Sequence, residues 1–170
     1  MKKSRIILCV ITGAIVIKTI SELVLVLFIG GAFFVPLSFD KAERILEKNR
    51  EQFQIVADYF GTLEDDSVYI PVQWLYIYYV EEEDLPKDTE VAKAIRVLST
   101  KGTNSFTKRG TSVDFHLWSN MNSSRGILYS TDGSIPTTTY LIDIKKINGN
   151  WYFYESSYDE WHKKHSGKKG

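Results

Sequence analysis

Residues 6–37 place the first constraint on this chain. Ile6 to Ile17 and Leu23 to Leu37 are two apolar runs, and Lys18-Thr-Ile-Ser-Glu22 separates them. Neither run alone reaches the ~20 residues that a helix needs to span a hydrocarbon core. Joined, they make a stretch of 32 residues, longer than one span requires.

Three readings of this stretch compete. The leading one is a single signal-anchor helix within an anchor segment 1–37. Lys18 and Glu22 stand four apart, so they can pair on one helical face, which lowers the cost of burying both. A cleaved signal peptide is the second. Lys2, Lys3 and Arg5 form its basic start and Gly30 and Ala32 its small residues, but Phe33-Phe34-Val35-Pro36-Leu37 stays apolar beyond them. The third is a two-helix hairpin turning near 18–22, where no Gly, Pro or Asn is present to make the turn. On the leading reading the membrane is engaged through residues 6–37 in a single pass. The three basic residues before it hold the N-terminus in the cytoplasm and leave the C-terminal domain extracellular.

Charge and cysteine usage narrow what the remainder can do. Four basic residues and one acid precede residue 38, which leaves 17 basic and 20 acidic residues after it. A domain of net charge −3 lacks the basic face that phosphate neutralisation requires, so nucleic acid is not expected as a partner. Cys9, inside the apolar stretch, is the single cysteine. Beyond it no disulfide, thiol nucleophile or cysteine-based zinc site is possible.

The domain 38–164 reads as α+β, an antiparallel sheet with helices packed on one face. Ala42, Ile45, Leu46, Phe53, Val56 and Phe60 recur at helical spacing, so one helix is expected over 39–60, capped by Asp40 and Glu43 and stopped at Gly61. Gln73 to Val80 is rich in β-formers and apolar on both faces, which suits a strand that is central or covered on both sides. A second helix is expected within Pro86–Lys101, with Asp88 as its cap. Strands follow at Ser105–Lys108, Ser112–Trp118, Gly126–Ser130, Tyr140–Ile147 and Trp151–Glu155. Arg109-Gly110 and Asn148-Gly149-Asn150 mark hairpins. A last helical turn is expected over Ser157–Lys164, then a basic disordered tail, 165–170.

Candidate chemistry is sparse. Asp114 and His116 stand two apart on a strand and share a face. With Ser119 or Ser130 they could support hydrolysis, although no nucleophile-elbow sequence accompanies them. Trp118, two residues further on, is the aromatic residue expected to be exposed opposite the aliphatic face of Val113, Phe115 and Leu117. Asp114, His116 and Trp118 together make the candidate binding surface, with no catalytic, metal or cofactor residue assigned and no cofactor expected. His162 and His165 offer too few ligands for zinc. Lys163, Lys164, Lys168 and Lys169 could meet anionic lipid or wall polymer.

Three stretches carry a resemblance: Leu117-Trp-Ser-Asn120 with Ser124-Arg-Gly-Ile-Leu-Tyr-Ser-Thr-Asp-Gly133, Asn148-Gly-Asn-Trp-Tyr-Phe-Tyr-Glu155, and Tyr158-Asp-Glu-Trp161. They resemble short membrane-anchored proteins of Gram-positive bacteria, a group with no assigned activity. The resemblance implies location and architecture alone. The sequence thus points to a membrane-anchored extracytoplasmic protein that is not an enzyme and that binds a protein or cell-envelope component. An immunity-type protein acting against a toxin at the membrane, and a hydrolase built on Asp114 and His116, are the alternatives.

Overall fold

Ser38, not Asp40, opens the first helix: its hydroxyl accepts from the Lys41 amide at 3.3 Å. In a computed structural model, which describes residues 35–64, 67–74 and 78–166, this helix, α1, spans Phe39–Lys48. Of the expected anchor, 1–37, residues 1–34 lie outside those described, and with them Cys9 and the Lys18–Glu22 pair. Among the described residues no helix is long and apolar enough to cross a membrane. From Leu37 onward the chain forms one compact unit.

The single helix expected over 39–60 is two. Asn49 interrupts it, and α2 runs Arg50–Thr62. The Asn49 amide donates to the Ile45 and Leu46 carbonyls, each at 3.2 Å, and its side-chain nitrogen donates to Ile45 at 2.8 Å. These bonds satisfy carbonyls left open at the end of α1, and the Asn49 carbonyl then accepts from Phe53 to begin α2. The interruption lets Ala42 and Leu46 of α1 and Phe53, Val56 and Phe60 of α2 reach the same core.

Strand β1 (Ser67–Pro71) follows, then β2 (Gln73–Trp74), β3 (Tyr78–Tyr79) and a 3-10 turn at Glu82–Asp84. The run expected as a covered central strand is instead paired with itself: Gln73 faces Tyr79 and Trp74 faces Tyr78, in a two-stranded sheet of its own. The cause lies just upstream. β1 is the edge of the main sheet, where a proline at strand end is tolerated, and the Val72 amide turns to the Asn104 carbonyl at 3.1 Å. Helix α3 (Thr89–Thr100) is capped by Asp88, which accepts from the Glu90 and Val91 amides at 2.9 and 3.2 Å.

β4 (Ser105–Arg109), β5 (Ser112–Ser119), β6 (Ser123–Ser130), β7 (Leu141–Asn148) and β8 (Trp151–Ser157) complete a six-stranded sheet of order β1-β4-β5-β6-β8-β7. Every neighbouring pair is antiparallel. Gly110 and Gly149 take positive φ, 54° and 49°, at the two hairpins expected there. The last element, α4, runs Tyr158–Ser166, past the expected start of a disordered tail at 165. Trp161 and His165 stack at 4.3 Å, and His165 Nδ1 and the Ser166 hydroxyl bond back to carbonyls one turn earlier, which extends the helix.

The sheet has two unlike faces. Phe106, Phe115, Ile127, Trp151 and Phe153 meet α1, α2 and α3 on the first, where Phe53 packs edge-on to Phe115 at 4.8 Å and to Trp151 at 5.9 Å. The second face holds a smaller apolar cluster of Leu128, Tyr152 and Tyr154, with Leu141 and Ile144 beside it. β6 and β7 run parallel with β8 between them, so the ten residues 131–140 must cross the sheet, and they cross this second face.

Gly126 lies at the centre of that second face. A Cβ there would stand 2.3 Å from the Phe115 carbonyl oxygen and 2.8 Å from Tyr154 Cε1. Backbone cannot yield as a flexible side chain can, so Gly126→Ala is expected to destabilise residues 37–170 by about 2–3 kcal/mol, the scale of core overpacking. Urea denaturation followed by tryptophan fluorescence measures it, and an unchanged midpoint would contradict the packing described.

Candidate functional site

Alternation along β5 carries Ser112, Asp114 and His116 to the second face, away from the helices, as the sequence indicates. A β-bulge then intervenes. His116 pairs with Gly126, whereas Trp118 pairs with Arg125, one residue short of regular register. The extra residue turns Trp118 onto the helix-covered side. There it packs partly buried against the main core, with the Arg125 guanidinium 5.7 Å from its ring centroid. Trp118 therefore does not share a face with Asp114 and His116, and the three make no common surface.

Asp114 is covered rather than displayed, at 8% exposure. Thr138, from the crossing segment, donates its hydroxyl to Asp114 Oδ2 at 3.2 Å. Oδ1 is shut off from solvent with no hydrogen-bond partner of good geometry. Tyr154 reaches Asp114 from two strands away. His116, Gly126 and Tyr154 lie in one row across β5, β6 and β8, and only a glycine in the middle lets the Tyr154 ring lie over β6. On either side of Asp114 the segment is pinned again. The Thr137 amide donates to the Ser112 hydroxyl at 3.1 Å, and Arg109 donates to the Thr139 hydroxyl. At its start, hydrogen bonds from Ser134 and Ser130 hold the Asp132 carboxyl below its usual range.

Burial sets the electrostatics here. It pushes the Asp114 carboxyl above the ordinary aspartate value, and the charge of His116, the Tyr154 and Thr138 hydroxyls and Arg109 pull back less strongly. The Tyr154 hydroxyl is raised well above its ordinary value by burial first and then by the charge of Asp114. Both groups thus favour their protonated forms. In that state the carboxyl gains a proton to donate, which the partnerless oxygen otherwise lacks.

Two of the residues that a hydrolase would need, His116 and Ser130, are engaged elsewhere. His116 Nε2 lies 3.0 Å from the Trp118 carbonyl, which can only accept, so this nitrogen carries the proton. The Ser130 hydroxyl donates to Asp132 at 3.0 Å. Ser119 is exposed at the end of β5, opposite Ser124. Among the described residues no group of three or more His, Cys, Asp or Glu is placed to hold a metal ion.

An uncovered surface lies at one end of the sheet, where β5 ends, β6 and β7 begin and β8 runs into α4. Met121 is fully exposed in the β5–β6 turn, and Tyr158 is half exposed at the start of α4. Tyr140 lies among Tyr158, Trp161 and His162, with ring centroids 5.0, 5.5 and 6.0 Å away. Sequence reading took Tyr140 as a strand residue and missed this cluster, although Tyr158, Trp161, His162 and His165 recur at helical spacing. It also missed Tyr154 as the partner of Asp114. No family model, curated protein or solved structure matches this chain.

A raised carboxyl pKa has a definite consequence for stability. The folded state holds the Asp114 proton more tightly than the unfolded chain, so its contribution is complete below the ordinary value of 3.8 and is lost as pH rises through the raised one. Asp114→Asn removes that loss and keeps an acceptor for Thr138. The stability of the variant relative to the parent should therefore rise between pH 3.5 and pH 7 in urea titrations of residues 37–170, and a difference that falls over that interval would contradict the assignment.

Proposed function

We propose that this chain is a membrane-tethered extracytoplasmic binding module, held through residues 6–37, that engages an envelope component without catalysing a reaction on it. One contrast carries the reading. Asp114, His116 and Ser130 are turned onto other side chains or onto backbone, while Tyr140 and Tyr158 beside α4 stay exposed. Exposed aromatic side chains with few rotatable bonds are a surface that gains on being covered. A reaction centre needs the opposite arrangement, with its acid and base open to substrate. The apolar stretch supports the tether by its length, and the basic residues before it support an outside domain.

Two measurements test this. Protease added to intact cells that express the full chain is expected to degrade residues 38–170, and protection of the domain would reverse its side. Residues 37–170 are expected to sediment with washed cell envelopes. The double variant Tyr140→Ala, Tyr158→Ala should reduce the bound fraction several-fold, while His116→Ala should not. Loss on the histidine change with retention on the tyrosine pair would move function to the Asp114 row.

A further inference from the structure

We infer that the end of the sheet carrying Tyr140, Tyr158 and Trp161 lies on the membrane surface and takes anionic lipid headgroups as its ligand. The inference rests on the tether proposed above and names the envelope component. Its starting point is where the chain enters the domain. Leu37, the first residue of the compact unit, is held by Arg125, which donates from Nη1 to the Leu37 carbonyl at 3.0 Å. The same guanidinium donates from Nη2 to Glu155 Oε1 at 2.5 Å. Arg125 is the third residue of β6, and Glu155 stands two residues before the end of β8. The compact unit therefore begins beside the start of β6 and the end of β8.

The uncovered residues belong to that end. The Tyr158 amide donates to the Asn122 carbonyl at 3.0 Å, and the Asn122 side chain donates to Asp159 at 2.8 Å, which locks the β5–β6 turn onto the start of α4. The Ser157 amide donates to the Tyr140 carbonyl at 3.0 Å, which locks the start of β7 to the same point. α4 contacts β7 and β8, and Ile142 and Asp143 at the beginning of β7 line a hollow with Glu160, Lys163 and Lys164. Entry point, exposed Met121 and the aromatic cluster are thus tied to one edge of one rigid sheet.

Their chemistry suits a headgroup layer. Tyrosine and tryptophan have an apolar body and a polar tip, and they favour the boundary between headgroups and acyl chains. Lys163, Lys164 and His165 occupy the last turn of α4. The acids nearby are Asp159, engaged by Asn122; Glu160, beside the two lysines; and Asp143, which lies 3.5 Å from Lys145. A neutral bilayer offers the cationic end of the helix no attraction, and an anionic one does. A globular protein partner would use the aromatic residues equally well, but it would gain nothing from their position beside the chain entry.

The test uses the full chain reconstituted in vesicles of phosphatidylcholine with and without phosphatidylglycerol, some of the acyl chains brominated close to the headgroup. Flotation through a density gradient reports the tether by itself. Bromine quenches tryptophan by contact, and Trp161→Phe identifies the share that belongs to Trp161. In anionic vesicles the parent is expected to lose at least a third more emission than Trp161→Phe. Lys163→Glu with Lys164→Glu should abolish that excess, and neutral vesicles should show less than half of it. Floating vesicles with equal quenching of the parent and Trp161→Phe would overturn the inference and leave the tether standing. A chain that fails to float would overturn both.

Discussion

Phe53 sits against both Phe115 and Trp151, and the rest of the domain depends on that contact. It joins α2 to β5 and β8, two strands that are not neighbours, and so fixes the sheet between them. All three rings are almost wholly buried, and each removes roughly 150–250 Å² from water. Strand alternation then decides what goes elsewhere. With Phe115 turned to the helices, Asp114 and His116 must face away. With Trp151 and Phe153 turned inward, Tyr152 and Tyr154 must face away as well. The polar row on the second face is therefore a consequence of the aromatic core on the first.

Among the described residues, no helix lies over Asp114 on that second face. Its cover is the crossing segment 131–140, and Thr137, Thr138 and Thr139 make successive hydrogen bonds to Ser112, Asp114 and Arg109. Three adjacent threonines each meeting β4 or β5 give a segment without regular structure a fixed path. A buried carboxyl is an expensive group to place under such a cover unless it can be neutral. The raised Asp114 value and the tyrosine beside it are the physical form of that compromise. Burial beneath this segment consequently shifts Asp114 towards its protonated form.

Much of this was legible in the chain. The α+β class, the hairpins at Gly110 and Gly149, the Asp88 cap and the sharing of a face by Asp114 and His116 all follow from local rules. The failures have one physical type: a tertiary demand overrode a local period. A continuous apolar stripe over 39–60 says nothing of Asn49, where a side chain able to satisfy open carbonyls lets one helix end and the next begin. The run Gln73–Val80 has the composition of a central strand, but β1 already occupies the sheet edge and the run pairs with itself. Trp118 obeys strict alternation on paper, and one bulge reverses it. Tyr154 carried a readable signal in Gly126, since a glycine within a strand marks a close approach. The approaching group, however, lay 28 positions along the chain, beyond the reach of any local pattern.

Tyr140 connects the two faces of this account. It is the only described non-glycine residue with positive φ, 56°, a conformation that a bulky side chain adopts at some cost. Two features hold it there. Its carbonyl accepts from Ser157, and its ring lies among Tyr158, Trp161 and His162. The strained residue ends the segment that covers Asp114 and directly precedes β7, which α4 contacts. Tyr140 thus joins the segment that closes over the polar row to the strand beside the exposed cluster, and its positive φ marks the turn between them.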